Sequence, residues 1–559
     1  MEKILRIFGK EYGNINQAAL LLGSFAFLSQ ILGLFRDRFI AHFIGPGEAL
    51  DAYYAAFRIP DFIFISIASL ASITVLIPFI LNRMQNGVIT EEAKTFLNSI
   101  FTVFFSVMIL VSVFAFILMP NISFYIAPGF SIEMQDKVVE LSRIMLLSPL
   151  LLGLSNLFGS ITQLFRKFFI YALSPIFYNL GIIIGILFLY PSWGIRGLAF
   201  GVVLGALMHF LIQMFASMNS GFHPRFISDI KFKEIKKVVL ISLPRTLGLS
   251  LNNISLIVIV SFASYLSHGS ISIFNLSLNL QSVPLGIIGL SYAVAAFPNL
   301  TRSYTSGKIG DFKDSLKATA RSIVFWSLPI TFLFIVLRAQ IVRVILGSGS
   351  FSWDNTRLVA ASLAVFSISI MAQGLIALFA RAYYASGNTK RPLYVNLLSS
   401  ISIIIFSFVF LNLFKNSEFF RFFIENILKL SGIKGTEVLM LPLAYSLGTI
   451  LNAGLLWYFI KQDFMKGERF LITVFFQSLG ASFFIGIVSY LSLNLFSSVF
   501  YTNTFWSILF QGLVSGILGI GAGVAVLYLL GNKELKDLAL TLKTKFWKTK
   551  VISSVEEGL

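Results

Sequence analysis

Apolar residues run along this 559-residue chain in long blocks, separated by short polar or basic stretches. A helix needs about 20 apolar residues to cross the hydrocarbon core of a bilayer. Fourteen blocks suit that length, near 17–42, 52–81, 96–119, 139–164, 169–190, 195–217, 238–266, 271–299, 319–337, 357–385, 392–414, 438–461, 470–495 and 503–530. They predict an all-α integral membrane protein. The first block is too long for the core of a signal peptide and no cleavage pattern follows it, so no cleaved leader is expected. Two further segments mix apolar and charged positions at helical spacing: "FFRFFIENILKL" at 419–430 and the basic stretch 533–550. Both predict helices lying on the membrane surface; for the second, a solvated end fits nearly as well.

Composition sharpens this reading. The chain is 57% hydrophobic and only 12% charged, about half the charge of an ordinary soluble domain. Its 60 phenylalanines suit lipid contact and helix packing. Without a cysteine, disulfides, thiol nucleophiles and thiolate metal sites are excluded. His42, His209, His223 and His268 are scattered, with no metal-ligand spacing. The P-loop, GxSxG and HExxH patterns are all missing, so an enzyme is not expected. The formal net charge of +18 is explained better by cytoplasmic loops touching anionic lipid than by nucleic acid.

Lys and Arg in short loops set orientation. They collect in the N-terminal arm (Lys3, Arg6, Lys10) and in the loops after spans four, six, eight and ten. They collect again in the tail, at Lys543, Lys545, Lys548 and Lys550. An even span count puts all of these on one side, which predicts both termini in the cytoplasm. The loop after span nine, with Arg338, Arg343 and Arg357, is the exception.

The chain also repeats itself at an offset near 220 residues. "PFILNRMQNG" (78–87) matches "PNLTRSYTSG" (298–307), "YIAPGFS" (125–131) matches "ILGSGSFS" (345–352), and "SPIFYNLGIII" (174–184) matches "RPLYVNLLSSI" (391–401). This predicts an N-terminal six-helix lobe (1–218), a cytoplasmic linker (219–237) and a C-terminal six-helix lobe (238–461). Two additional helices (462–530) and a basic tail (531–559) follow. Six spans per copy give both the same direction, an arrangement in which halves rock about a shared site.

Charged residues inside apolar helices are costly and often functional. Ser29 and Arg36 stand seven apart on one helix face, and Gln30 and Asp37 on the neighbouring one. Asp51 and Arg58 repeat that spacing at the start of span two, and Arg245 follows Pro244 early in span seven. Asn279, Gln281 and Ser282 lead into Pro284 in span eight. At 1.5 Å per residue Arg36 lies only about 10 Å from the outer end of span one, and Arg58 lies at similar depth. On depth alone, snorkelling fits both slightly better than a site does, and Arg38 reads as snorkelling. Pro60, Pro78, Pro244, Pro284 and Pro298 should kink their spans, and Gly33, Gly286 and Gly289 should let helices approach closely.

"SQILGLFRDRFIAHFIGPGEALDAYYAAFRIPDF" (29–62) resembles the opening of the MurJ (MviN) family of lipid II flippases. So do "APGF" at 127–130, "LPRTLGLSLNNISLIV" at 243–258, "GIIGLSYAVAAFPNL" at 286–300 and "RAYYASGNTKRP" at 381–392. The wider superfamily includes drug/cation antiporters and polysaccharide-unit flippases. The resemblance implies about 14 transmembrane helices: two six-helix lobes around a central cavity, plus two helices forming a lipid-facing groove. It implies a multi-pass protein of the bacterial inner membrane, moving an undecaprenyl-pyrophosphate-linked precursor to the outer leaflet by alternating access. Arginines suit the pyrophosphate, because a guanidinium fork binds phosphate bidentately.

Carried over by position, the resemblance makes Arg36 and Arg58 substrate-binding. Ser29, Gln30 and Asn279 are placed in the same lining, and Arg245, which no family motif supplies, is expected to replace part of the missing cationic lining as a further substrate-binding residue. Asp37, Asp51, Pro60 and Pro284 become structural or gating residues. Family arginines are missing at Gln30, at Phe64 and Ile65, and at Asn279, which leaves the exact cargo open. No cofactor or metal is expected; Na+, H+ or the membrane potential is left as the energy source. A monomer is expected, with the lipid-linked substrate, membrane lipids and cell-wall synthesis enzymes as candidate partners. The alternatives are a cation-coupled exporter of small amphipathic compounds, a flippase for another polyprenyl-linked oligosaccharide, and a scaffold for cell-wall enzymes.

Overall fold

The structure, a computed structural model, describes residues 15–68, 76, 79–80, 83–85, 88–468, 471–497 and 504–546. Lys3, Arg6, Lys10, Pro78, Lys548 and Lys550 lie outside the described residues, as do the side chains of Pro244 and Arg245. The described chain is helical apart from turns, loops and one short hairpin. There Met84–Gln85 runs antiparallel to Val88–Ile89, with Met84 opposite Ile89.

Eleven helical runs, from Glu91–Ile126 to Phe505–Leu529, are long and apolar enough to cross a membrane. A twelfth counts if the bent pair Trp353–Ser367 and Ile370–Ala385 is one span. The chain is thus an all-α membrane protein with eleven or twelve long apolar helices among the described residues. The eleven fall on the third to ninth and eleventh to fourteenth expected spans, and the bent pair falls on the tenth. The first expected span lies on the 29-residue helix Ile15–Phe43. The second, as far as residue 68, is broken into Glu48–Ala56, Arg58–Ile63 and a π-helical Phe64–Ala68; of its later part only residues 76 and 79–80 are described.

Two compact units divide the chain. The first holds Met1–Val283, Val342–Phe366 and Gly387–Leu455; the second holds Pro284–Ile341, Ser367–Ser386 and Leu456–Leu559. In the first, a fully buried apolar core gathers Phe96, Leu97, Met108, Leu157, Phe158 and Ile161. Beside it, Phe168–Ile184 and the π-helical turn Gly185–Leu189 that continues it meet Ile195–Met218 almost backbone to backbone. A Cβ on Gly181 would stand 2.2 Å from the Gly205 Cα, and one on Gly185 would stand 2.4 Å from the Gly201 Cα. Lipid tails are as apolar as leucine, so close van der Waals packing of small residues, not exclusion from water, holds such helices together.

The expectation for Gly33 needs correcting. A Cβ there would meet nothing within 4 Å, because Gly33 faces open space and not a neighbouring helix. Gly289 does sit at a close approach, with the Gly374 Cα 2.6 Å from its virtual Cβ, inside the second unit. That unit also packs Ile472–Phe496 against both Ile309–Val336 and Phe505–Leu529. Lys313 and Lys317 pair with Glu468, in the connection leading to Ile472–Phe496, and the Lys317 contact holds that carboxyl below its usual range. The last described helix, Lys533–Phe546, is tied to Ile309–Val336 by an Arg321–Glu534 bridge of 2.6 Å. The surface segment expected at 419–430 is the helix Glu418–Leu428, which exposes Phe419, Phe422, Phe423 and Ile427 along one face.

The prolines act through the carbonyls they leave free. Pro60 cannot bond the Ala56 carbonyl four residues back, and the Ser142 hydroxyl donates to that oxygen instead, at 3.1 Å. π-Helical segments follow soon after Pro60, at Phe64–Ala68, and directly after Pro284, at Leu285–Leu290.

Candidate functional site: a charged cavity in the first unit

Helix Ile15–Phe43 carries "RDR" near its C-terminal end and stops where Gly45 takes a left-handed turn (φ 70°). Glycine suits that cap for want of a Cβ, and a Cβ there would also stand 2.6 Å from the Ser350 carbonyl oxygen. The three charges then go separate ways. Arg36 donates from Nε (3.0 Å) and from one terminal nitrogen (2.8 Å) to the same Asp37 oxygen. Its other terminal nitrogen donates to the Asn179 Oδ1 at 3.1 Å. Arg38 donates to the carbonyls of Val344 (2.6 Å) and Ile345 (3.2 Å) at the C-terminal end of helix Arg338–Ile345. A cation is favourable there because those carbonyls have no partner within their own helix.

Asp37 is 2% exposed, and its second oxygen accepts from Asn279 Nδ2 at 3.1 Å. Asn179 also donates to the carbonyl and hydroxyl oxygens of Ser29, each at 3.3 Å. One turn before Asn279, Asn275 accepts from the buried Arg58 guanidinium. Arg36, Asp37, Arg58, Asn275 and Asn279 line a cavity of about 280 Å³, together with Tyr53, Tyr54, Asp61 and Tyr178; Asn179 and Ser29 stand behind Arg36, outside the lining. Its charged lining is two guanidiniums and two carboxylates. Guanidiniums and side-chain amides in such a space can grip an anionic, oxygen-rich ligand.

Asp51 does something different. It accepts from the Gly269 N–H (2.6 Å), the Ser272 N–H (2.7 Å) and the Ser272 hydroxyl (2.6 Å). It thereby caps helix Ser270–Pro284 from outside, where Gly269 has no side chain to do so. A carboxylate suits the first N–H groups of a helix, which lack partners within it.

The structure therefore brings Arg36, Asp37, Arg58 and Asn279 to one cavity and links Ser29 to it through Asn179. Gln30 is half-buried and makes no polar contact with this group among the described residues. Pro60 lies on the helix carrying Arg58, and Pro284 ends the helix carrying Asn279. Arg245 stands in helix Phe232–Ala263, its side chain outside the described residues. Sequence reasoning missed Asn179, Asn275 and Asp61. Sequence marks Asn179 only as an amide in an apolar run, four residues after Pro175 in the repeated "SPIFYNLGIII", and nothing there says that it faces Arg36.

Long apolar helices in this number, with a charge-paired polar cavity among them, define a polytopic membrane protein with a polar site inside its first unit. A family model described as "Lipid II flippase MurJ" matches residues 40–511, well over half of the chain, and the chain belongs to that family. A "Probable lipid II flippase MurJ" of Rhizobium tropici is 27% identical over 400 residues, covering 68% of this chain and 73% of the relative. Its counterpart from Thermotoga maritima is 27% identical over 383 residues, covering 68% and 76%. The fold is similar to a solved "Lipid II flippase MurJ, inward closed conformation" (TM-score 0.72, 23% identity, 93% of this chain and 100% of that one). It is also similar, at 14% identity and a TM-score of 0.62, to an inward-facing multidrug resistance MATE family transporter of the MOP superfamily, over 81% of this chain and 100% of that one.

Proposed function

We propose that this chain is a flippase that carries lipid II from the inner to the outer leaflet of a bacterial plasma membrane by alternating access. The observation that carries this reading is the family match over residues 40–511. In it, fourteen spans form lobes at 1–218 and 238–461, with helices at 462–530 guiding the prenyl tail and both termini in the cytoplasm. Arg36, Arg58 and Arg245 hold the pyrophosphate, Asn279, Ser29 and Gln30 contact the head group, and Asp37 orients Arg36. The Arg36–Asp37 bridge of 2.8 Å supports that last role. An ion gradient or the membrane potential drives the cycle, the protein acts as a monomer, and cell-wall enzymes receive the product.

The test is rescue of a bacterial strain depleted of its own flippase, scored with an outer-leaflet lipid II accessibility assay. Wild type should restore accessible lipid II, and Arg36→Ala or Arg245→Ala, expressed at equal level, should not. Normal rescue by both variants would sink the arginine roles. No rescue by wild type, with drug resistance instead, would point to an exporter of amphipathic compounds.

A further inference from the structure

Among the described residues, the cavity of the first unit contains a carboxylate that accepts no hydrogen bond. Asp61 follows Arg58 by three residues on the short helix Arg58–Ile63, so both side chains stand on one face, and both line the cavity. Among the described residues, no hydrogen bond or salt bridge reaches the Asp61 carboxylate. Arg58 is itself half satisfied: one terminal nitrogen donates to Asn275, while among the described residues its buried Nε has no acceptor. The buried Tyr54 hydroxyl, at the same cavity wall, has no partner among them either. The other pair is committed, because Asp37 bonds both Arg36 and Asn279.

We propose that Asp61 is a built-in competitor for the cargo's phosphates: it balances the Arg58 charge when no cargo is bound and loosens the cavity's hold on a polyprenyl pyrophosphate. The proposal rests on the flippase reading above. The unused donors of Arg58 and Tyr54 are the groups a phosphate would engage, and Asp61 is the like charge it would face. Among the described residues of the lining, Arg36 and Arg58 are set against Asp37 and Asp61, so their formal charges cancel. A carrier has to release what it binds, so its site must attract without trapping. Without Asp61 the same lining is net cationic, and a pyrophosphate would bind it more tightly and leave it more slowly.

The test uses the full-length protein in lipid nanodiscs, with undecaprenyl pyrophosphate as the probe. Its Kd is measured for wild type, Asp61→Asn and Asp61→Ser. Both variants are expected to bind about tenfold tighter, the order expected for removing one like charge from a site of low dielectric. Both should also deliver lipid II to the outer leaflet more slowly. A gain in affinity cannot come from misfolding, and if one variant fails to fold the other decides. Unchanged or weaker binding by the folded variants, with wild type binding, overturns this proposal alone. Failure of wild type to bind overturns the flippase reading and this proposal with it.

Discussion

The Ser142 hydroxyl donates to the Ala56 carbonyl at 3.1 Å, supplying the hydrogen bond that Pro60 cannot. Ser142 sits fully buried on helix Ile132–Met145, and Ala56 ends the helix that carries Asp51. A proline is tolerated in a membrane helix when a neighbour satisfies the freed carbonyl. The contact therefore lets the chain break between Asp51 and Arg58 without leaving a bare acceptor, and it fixes where Arg58 begins.

This makes Ser142→Ala a test of the break. Leaving a buried carbonyl unpaired costs about 1–3 kcal/mol, and thermal unfolding in detergent should show a lower Tm. In a Pro60→Ala background the new backbone N–H can reach the Ala56 oxygen, so the same substitution should cost less. The double-mutant cycle should show coupling; additive losses would mean that the two residues act independently.

Asp51 should prove a stability residue first. Its two oxygens accept three donors at the start of helix Ser270–Pro284. Asp51→Asn keeps one acceptor and turns an amide N–H toward groups that are themselves donors. Charge-assisted bonds of this kind contribute about 1.5–3 kcal/mol each. The expected outcome is a lower yield of folded protein and a lower Tm, with cargo affinity per folded molecule little changed. A folded Asp51→Asn protein of wild-type Tm that binds cargo poorly would place Asp51 in the binding site instead.

Asn179 should matter to transport nearly as much as Arg36. Its amide accepts from Arg36 and donates to Ser29, so it fixes the guanidinium from the side opposite Asp37. Asn179→Ala should cut flipping roughly tenfold, the equivalent of about one hydrogen bond to a charged group, while Asn179→Gln should recover part of it. Equal flipping by wild type and Asn179→Ala would show that Asp37 alone positions Arg36.

These cases show how far the sequence could be read. The spans were legible because an apolar block of helical length has few other uses. Arg36 and Asp37 were conspicuous as charges in such a block, but depth alone favours snorkelling for Arg36, and it is the family resemblance that draws both into the expected site. Their partners were not conspicuous. Asn179 and Asn275 are uncharged amides like others in the spans, and only the fold shows that they face the arginines. Asp51 and Arg38 bond main-chain groups, at Gly269 and Ser272 and at Val344 and Ile345, and a backbone N–H or carbonyl leaves no mark in sequence. Of the glycines read as close-approach positions, Gly289 meets Gly374 but Gly33 faces open space, while Gly181, not singled out, meets backbone. Which face of a helix is covered depends on the neighbour, not on the helix itself.

The glycines supply a controlled comparison. Gly181 and Gly205 lie where Phe168–Ile184 crosses Ile195–Met218, and an added methyl at either would fall 2.2–2.3 Å from backbone atoms of the other helix. Backbone cannot swing aside as a side chain can, so Gly181→Ala must push the helices apart. Overpacking of this kind costs about 1–3 kcal/mol or more. Gly521, in helix Phe505–Leu529, has nothing within 4 Å of its virtual Cβ. There Gly→Ala should instead stabilise the helix by about 0.5–1 kcal/mol. Opposite shifts in Tm are expected for two chemically identical substitutions. Because Asn179 and Tyr178 stand on the displaced helix, Gly181→Ala should also lower flipping, while Gly521→Ala should leave it unchanged. If both variants melted alike, the backbone contact at Gly181 would not be holding the cavity wall in place.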